Sequence, residues 1–311
     1  MEPQLSLRRL EIFRLIVEER SVTRAAARLM IAQPAVSSQL RSLEEWVGAK
    51  LFVRRGNQLV LTEAGERTNV WAQGILAGAA ELRRDVEGIE SGRRGSAVVA
   101  ASMGAGSYLV PRVVTRFREG NPAADITLNL AQPQETLRQV RTGEADFAIT
   151  TWDAEDTRTD VRTEVLRDEP MMIVVRPDQA PATGELTLEE ALALPMVGAP
   201  RLVAAQRSVA AQLRRHSGVE PSFVIRLGHA LPAKQAVIDH GWAAILSRYI
   251  VEAELAAGTL ACVRVPGLEL QERIVLAWRP DKVFSKLQQR LMEEIRRHLG
   301  VDADGAGTPT D

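Results

Sequence analysis

Gln33, Pro34, Ala35, Ser37, Ser38, Gln39 and Arg41 crowd the start of a segment with a helical pattern, and they offer the chemistry of base edges and phosphates. Glutamine can pair with adenine, while Pro34 and Ala35 present apolar surface suited to a thymine methyl. The spacing puts Gln33, Pro34, Ala35, Ser38 and Arg41 nearest bases. Ser21, Thr23, Ser37 and Arg54 are expected to hold phosphates, with Arg24, Gln39 and Arg55 completing the candidate DNA-binding set. Pro34 suits a first helical turn, where its missing N–H costs nothing.

Such side chains need a rigid mount. Ser21 to Gln39 reads as two short helices at a steep angle. Ala25, Ala26 and Ala27 give the first helix a face without bulk, and Leu29 and Val36 can fill the angle between the two. Upstream, Leu10, Phe13 and Val17 form the apolar stripe of a supporting helix. Downstream, Leu40, Leu43 and Trp46 continue the second helix on its buried side, and Gly48 ends it. Leu51 to Val53 and Leu59 to Leu61 flank a turn at Gly56-Asn57, which reads as a β-hairpin carrying Arg54 and Arg55. A generic helical hairpin would explain the alanines alone; the flanks favour a DNA reader.

The motifs extend over about sixty positions. They are Leu10-x-x-Phe13, Glu18, Ser21-x-Thr23-x-Ala25-Ala26-x-x-Leu29, Gln33-Pro34-Ala35-x-Ser37-x-Gln39-Leu40, Leu43-Glu44, Gly48-x-x-Leu51-Phe52-x-Arg54 and Leu61-Thr62-x-Ala64-Gly65. In these residues the chain resembles the DNA-binding domain of the LysR-type transcriptional regulators. The resemblance implies a winged helix-turn-helix domain over residues 1–65, an expectation weakened in the wing only by Asn57 and Gln58, where family members often carry arginine. Fewer wing cations imply a shallower salt dependence of binding.

Bulk composition fits that reading without requiring it. The 311 residues carry net charge −1 and 45% hydrophobic residues, ordinary for a soluble chain of two or three domains. Residues 1–65 hold ten Arg or Lys against seven Asp or Glu, a local +3. Lysine occurs only at 50, 234, 282 and 286, an arginine-heavy usage that suits a GC-rich bacterial source. One cysteine, Cys262, excludes an intramolecular disulfide framework and is expected buried and inert. Neither a signal peptide nor a membrane-spanning stretch is apparent, so a cytoplasmic location is expected.

From Glu63 to Glu90 the proline-free chain favours one long helix, residues 66–90 serving as a linker. Ala72, Ile75, Ala79, Leu82, Val86 and Ile89 alternate at spacings of three and four, the seam of a dimerisation helix rather than of a helix packed on its own domain. The family resemblance implies the same pairing, in a homodimer or homotetramer, and two DNA half-sites. Residues 91–96 read as a hinge.

Beyond the hinge, strands and helices alternate, implying parallel sheets flanked by helices. Helices are expected at Tyr108 to Arg118 and Asp281 to Leu299 among others. The resemblance implies an α/β region of two subdomains similar to periplasmic binding proteins. They would comprise residues 97–167 with 270–299, and residues 168–269; residues 300–311 read as a disordered tail. Ligands of open α/β sheets sit at carboxyl ends of strands. Those ends nominate Ser102, Met103, Gly104, Gln132, Thr150, Thr151, Arg201, His229 and Leu231 as effector-binding residues. By resemblance the effector is a small molecule, a carboxylate in many relatives, which Arg201 or the helix start at Ser102 would neutralise. Trp242 either reshapes that cleft or belongs to the core.

Nothing points to catalysis. His216, His229, His240 and His298 lack metal-ligand spacing, and no nucleophile elbow or phosphate-cradling loop is present. Glu44-Glu45 and Glu189-Glu190 read as solvated helix faces, and His298 as a dipole partner in a last helical turn. The expected protein is therefore a DNA-binding regulator without metal or cofactor, controlled by a small effector. A ligand-independent regulator is the alternative; a cytoplasmic solute-binding protein or an enzyme with an appended DNA reader is less favoured.

Overall fold

The computed structural model describes residues 5–55, 58–90, 95–152, 161–201, 203–218 and 222–300. The chain falls into two units, Met1–Ser91 with Arg141–Glu144, and Gly92–Val140 with Ala145–Asp311. The expected turn at Gly56-Asn57, hinge residues 91–94 and tail residues 301–311 lie outside the described residues.

The first unit comprises α1 (Leu7–Glu19), α2 (Val22–Leu29), α3 (Gln33–Val47), β1 (Phe52–Arg55), β2 (Gln58–Leu61) and α4 (Glu63–Glu90). Its apolar interior joins Ile12 and Ile16 of α1 to Ala25 and Ala26 of α2 and Val36 of α3. Ala27 is exposed, because three consecutive helical residues cannot share one face. Leu29 is half-buried beside Val36. A second cluster joins Leu10, Phe13, Leu43, Leu51 and Ala72. Gly48 ends α3 with φ +78°.

Two expectations fail here. Trp46 is exposed and stacks on Trp71 of α4, ring centroids 5.5 Å apart. Glu44 is buried, since Leu51 N–H donates to its carboxylate at 3.0 Å and Lys50 Nζ at 2.7 Å. That carboxylate fixes where the chain leaves α3 for the antiparallel β1–β2 hairpin, in which Phe52 faces Leu61.

The second unit begins with β3 (Ser96–Ser102), so Ser96 is strand rather than hinge. There follow α5 (Met103–Tyr108), α6 (Val110–Glu119), β4 (Asp125–Ala131), α7 (Pro133–Arg141), β5 (Phe147–Trp152) and β6 (Arg162–Val175). Next come α8 (Leu188–Ala193), β7 (Met196–Gly198), α9 (Ala204–Ser217), β8 (Phe223–Arg226), α10 (Ala230–His240) and β9 (Ala243–Ser247). The chain closes with α11 (Arg248–Ala256), β10 (Ala261–Val263), β11 (Leu270–Trp278) and α12 (Lys286–Leu299). The helix expected from Tyr108 to Arg118 is α6, which starts at Val110 with Pro111 in its first turn, while Tyr108 ends the separate α5. Ser285 and Gln288 form a capping box, so α12 starts five residues later than its sequence pattern suggested.

Among the described residues of the second unit the strands form one mixed sheet of order β4-β3-β5-β11-β6-β9-β7-β8, with β10 on β6, rather than purely parallel sheets. β3 pairs in parallel with β4 and β5, and β7 with β8 and β9. Antiparallel β6 and β11 run between these halves and carry the chain across and back. Their long pairing leaves a register irregularity between Ile274 and Val275, a place where the sheet bends. Trp242 packs half-buried against the core, its ring 4.8 Å from that of His240.

Gly65 shows how tightly the first unit closes. An added Cβ would collide with the Leu51 carbonyl oxygen and stand 2.8 Å from Leu61 Cδ2. Gly→Ala inside a helix ordinarily gains about 1 kcal/mol. Here the backbone clash reverses the sign, and Gly65→Ala should cost ~1–3 kcal/mol, read by urea unfolding of the full chain. A stabilised variant would contradict this packing.

Candidate DNA interface and ligand cleft

No side chain caps the start of α3, and Ala32 to Ala35 are exposed. Pro34 has no N–H, and Ala35 N–H donates to the Ala32 carbonyl oxygen at 2.9 Å, so within this turn the Gln33 amide is the donor open to an outside acceptor among the described residues. Pro34, Ser38 and Arg41 fall four and three residues apart, on one exposed face of α3. Gln33 Nε2 donates to Ser37 Oγ at 3.1 Å, so these two side chains hold each other in place.

Other candidates have internal partners. Gln39 accepts from Arg9 Nε at 3.0 Å, which makes it a brace between α3 and α1. Ser21 caps α2 by accepting from Arg24 N–H, leaving its own hydroxyl hydrogen available. Arg24 donates to the Glu19 carbonyl oxygen and lies 3.6 Å from that residue's carboxylate, though its side chain remains mostly exposed. Thr23, Arg54 and Arg55 are exposed.

On α4, three residues of the expected seam, Ile75, Leu82 and Val86, are exposed. Ala79 is half-buried, and the side chain of Ile89 lies outside the described residues. Ala72 does not belong to the seam: it is fully buried against Leu10, Phe13, Leu43 and Leu51 of its own unit. Sequence spacing could not separate these fates, because residues one and two turns into a helix share the same period whether neighbour or solvent faces them.

Within the second unit a cavity of about 130 Å³ opens between the β3–β5 half and the β7–β9 half. Ser102, Met103, Gly104, Gln132, Thr151 and His229 all line it. Ser102 is buried at the end of β3, and its Oγ has no hydrogen-bond partner. Gln132 Nε2 spans the cleft to the Gly228 carbonyl oxygen at 3.4 Å. His229 Nδ1 accepts from Leu231 N–H at 3.1 Å, which places the neutral ring's proton on Nε2.

Three nominated residues are not in the cleft. Thr150 is fully buried, where the Thr136 hydroxyl reaches its Oγ at 3.2 Å, because alternation along β5 sends Thr150 and Thr151 to opposite faces. Arg201 and Leu231 are exposed and stand outside the lining. No lysine or arginine lines this cavity among the described residues, so the expected guanidinium for a carboxylate is not there.

Sequence reasoning missed Glu272, Ser247 and Tyr249. Glu272 sits on the inward face of β11 between buried Leu270 and Ile274, and that out-of-pattern acid was the readable signal. Its carboxylate accepts from Ser247 Oγ and, at 2.9 Å, from the Tyr249 hydroxyl. In register beside it on β6 lies Glu169, which accepts from Tyr249 N–H at 3.2 Å and pairs with Arg167 at 2.8 Å. Burial pushes the Glu272 carboxyl up; the Ser247 and Tyr249 hydrogen bonds pull it back, and Glu169 pushes it further up. Burial, then Glu272, pushes the Tyr249 hydroxyl well above the ordinary tyrosine range.

Two further expectations change. His298 is held below the usual histidine range by burial and then by Arg116 and Arg297, so it is no cationic dipole partner. Cys262 is only half-buried, and burial raises its thiol. Glu189 and Glu190 are exposed as expected, and Glu190 also closes a capping box with Thr187, whose backbone and hydroxyl hydrogen bonds lower its carboxyl.

A helix-turn-helix unit followed by a two-half α/β receptor defines a ligand-responsive DNA reader. Family models agree: residues 7–66 match the bacterial regulatory helix-turn-helix protein, lysR family, and residues 90–300 match the LysR substrate binding domain. The chain therefore belongs to the LysR-type family of transcriptional regulators. It is 29% identical over 307 residues to the HTH-type transcriptional regulator YeiE of Escherichia coli (strain K12), covering 98% of this chain and 99% of that one. It is 27% identical over 289 residues to the RuBisCO operon transcriptional regulator of Allochromatium vinosum, covering 90% and 92%. In fold it resembles ArgP from Mycobacterium tuberculosis (TM-score 0.66, 18% identity, 99% and 100% covered). It also resembles full-length CbnR complexed with target DNA (TM-score 0.62, 21% identity, 94% and 99% covered). No helix of the described residues is long and apolar enough to cross a membrane.

Two outcomes follow from the cleft. A carboxyl raised by folding contributes stability that is present at low pH and lost as pH rises through its folded value. Glu272→Gln should therefore raise the Tm at neutral and alkaline pH, with the gain shrinking on acidification; a gain that grows toward acid would contradict a raised Glu272. Ser102→Ala removes a buried hydroxyl that bonds to nothing, and should leave the ligand-free Tm unchanged or slightly higher. A loss of more than ~1 kcal/mol would show that the hydroxyl already has a partner.

Proposed function

We propose that this regulator binds DNA as a dimer joined through α4, each α3 entering a major groove, and that a small molecule in the cleft alters its DNA affinity or geometry. Gln33, Pro34, Ala35, Ser38 and Arg41 read bases; Ser21, Thr23, Ser37, Arg24, Arg54 and Arg55 meet backbone phosphates, with β1–β2 as the wing. The observation that carries this reading is the uncapped, exposed first turn of α3 with Pro34, Ser38 and Arg41 on one face. Ile75, Leu82 and Val86, apolar yet exposed on α4, support pairing of two copies and hence two half-sites. The protein acts in the cytoplasm, as a regulator rather than a catalyst.

In the cleft, Ser102, Thr151, Gln132 and His229 Nε2 supply the polar contacts, around apolar walls that include Val197, Phe223 and Leu246. A carboxylate effector would be met there by hydroxyls and amides rather than by a guanidinium. The unpartnered Ser102 hydroxyl supports this site above the other strand ends.

Arg41→Ala tests the DNA-reading surface. On duplexes selected from a random pool, gel shifts should show binding weakened by roughly tenfold or more, since a base contact is worth ~1–3 kcal/mol. The Tm should change little, because Arg41 is exposed. Unchanged affinity removes Arg41 from the interface.

A further inference from the structure

A second cavity, of about 590 Å³, lies behind the cleft, where α5 meets α6, α11, α12 and β6. Tyr249 and Ile250 line both spaces and form the partition between them. Five cations face this cavity: Arg112, Arg116, Arg167, Lys234 and Arg248. Only Glu169 and Glu252 oppose them in its walls.

The pairings leave much of that charge uncompensated. Lys234 is buried and satisfied by the Ile250 carbonyl oxygen at 3.0 Å and by Glu254. Arg167 pairs with Glu169 at 2.8 Å, yet its buried Nε has no acceptor. Arg116 bonds His298 Nε2 at 2.8 Å and, among the described residues, pairs with no carboxylate. Among the described residues Arg112 and Arg248 have no ion-pair partner, and Glu252, one turn along α11 from Arg248, makes none with it. Three arginines without a carboxylate thus share one concavity with a fourth whose Nε is unused.

Guanidinium groups carry planar donor forks that match phosphate and carboxylate oxygens, and their mutual repulsion is relieved when such an anion enters. The volume falls within the ~300–1,000 Å³ of ordinary small-molecule sites. We propose that this cavity is a second ligand site, distinct from the cleft, for a small polyanion bearing phosphate or carboxylate oxygens. Arg112, Arg116 and Arg248 form its entrance, and Arg167 Nε its floor.

Isothermal titration of the full chain with sodium pyrophosphate and with citrate, at matched ionic strength, tests this. At least one should bind, and whichever does identifies the oxygen chemistry. The double variant Arg112→Ser/Arg248→Ser should bind it roughly tenfold more weakly or worse, as loss of charge-assisted hydrogen bonds implies. Arg116→Gln, a single exposed change, should weaken binding independently if the double variant folds poorly. No heat from either anion at millimolar concentration overturns the site. So does affinity retained in the arginine variants, which puts the anion elsewhere on the chain, or its loss in Ser102→Ala, which puts it in the cleft.

Discussion

How near α2 can come to α3 decides which part of α3 is left for DNA. Ala25 and Ala26 are buried side chains of one carbon each, and Val36 of α3 packs into the cluster they share with Ile12 and Ile16. A larger residue at either alanine would force the helices apart and turn α3 about its axis. With the contact intact, Val36 and Leu43 face inward while Pro34, Ser38 and Arg41 face out. Glu44 extends the same frame by holding Leu51 N–H and Lys50, so the hairpin with Arg54 and Arg55 is registered to α3. The residues proposed to read DNA depend on this apolar scaffold for position.

In the second unit the comparable constraint is the crossing of β6 and β11. These strands carry the chain between the two halves, and they place Glu169 and Glu272 side by side in the interior. Two buried carboxylates in register are costly unless neutralised. Arg167 and Tyr249 N–H serve Glu169, while Ser247 and the Tyr249 hydroxyl serve Glu272. Tyr249 therefore ties α11 to both crossing strands, at the place where the cleft floor lies. A ligand that contacts Ser102 from one half and His229 from the other acts on strands whose register is already irregular at Ile274 and Val275. Binding energy at the cleft can thus bias the posture of the halves, which is what population-shift control requires.

The DNA-reading half was legible because its constraints are local. Small residues at a helix crossing, a proline in a first turn, and a glycine at a C-cap all act within a few positions of one another. Trp46 and Glu44 escaped because their surroundings come from α4 and from the chain after Gly48. Ala72 escaped because helical period does not say what faces the helix. In the second unit the alternation of strands and helices could be read, but antiparallel β6 and β11 could not, since direction in a sheet depends on partners remote in sequence. Strand ends led to Ser102, Met103, Gly104, Gln132, Thr151 and His229, which share one cavity, whereas strand parity turned Thr150 away and Arg201 and Leu231 lie outside the lining. Glu272, Ser247 and Tyr249 are joined by long-range contacts, and only the acid on an inward strand position gave any local sign.

Groove entry by α3 is most directly examined by methylation interference on duplexes that the protein selects. Methyl groups at guanine N7 occupy the major groove, and those at adenine N3 the minor. Interference concentrated at guanine N7 in two segments about one helical turn or a multiple apart is expected for paired α3 helices. Interference confined to adenine N3, or none at either, would contradict the placement of α3 in the major groove.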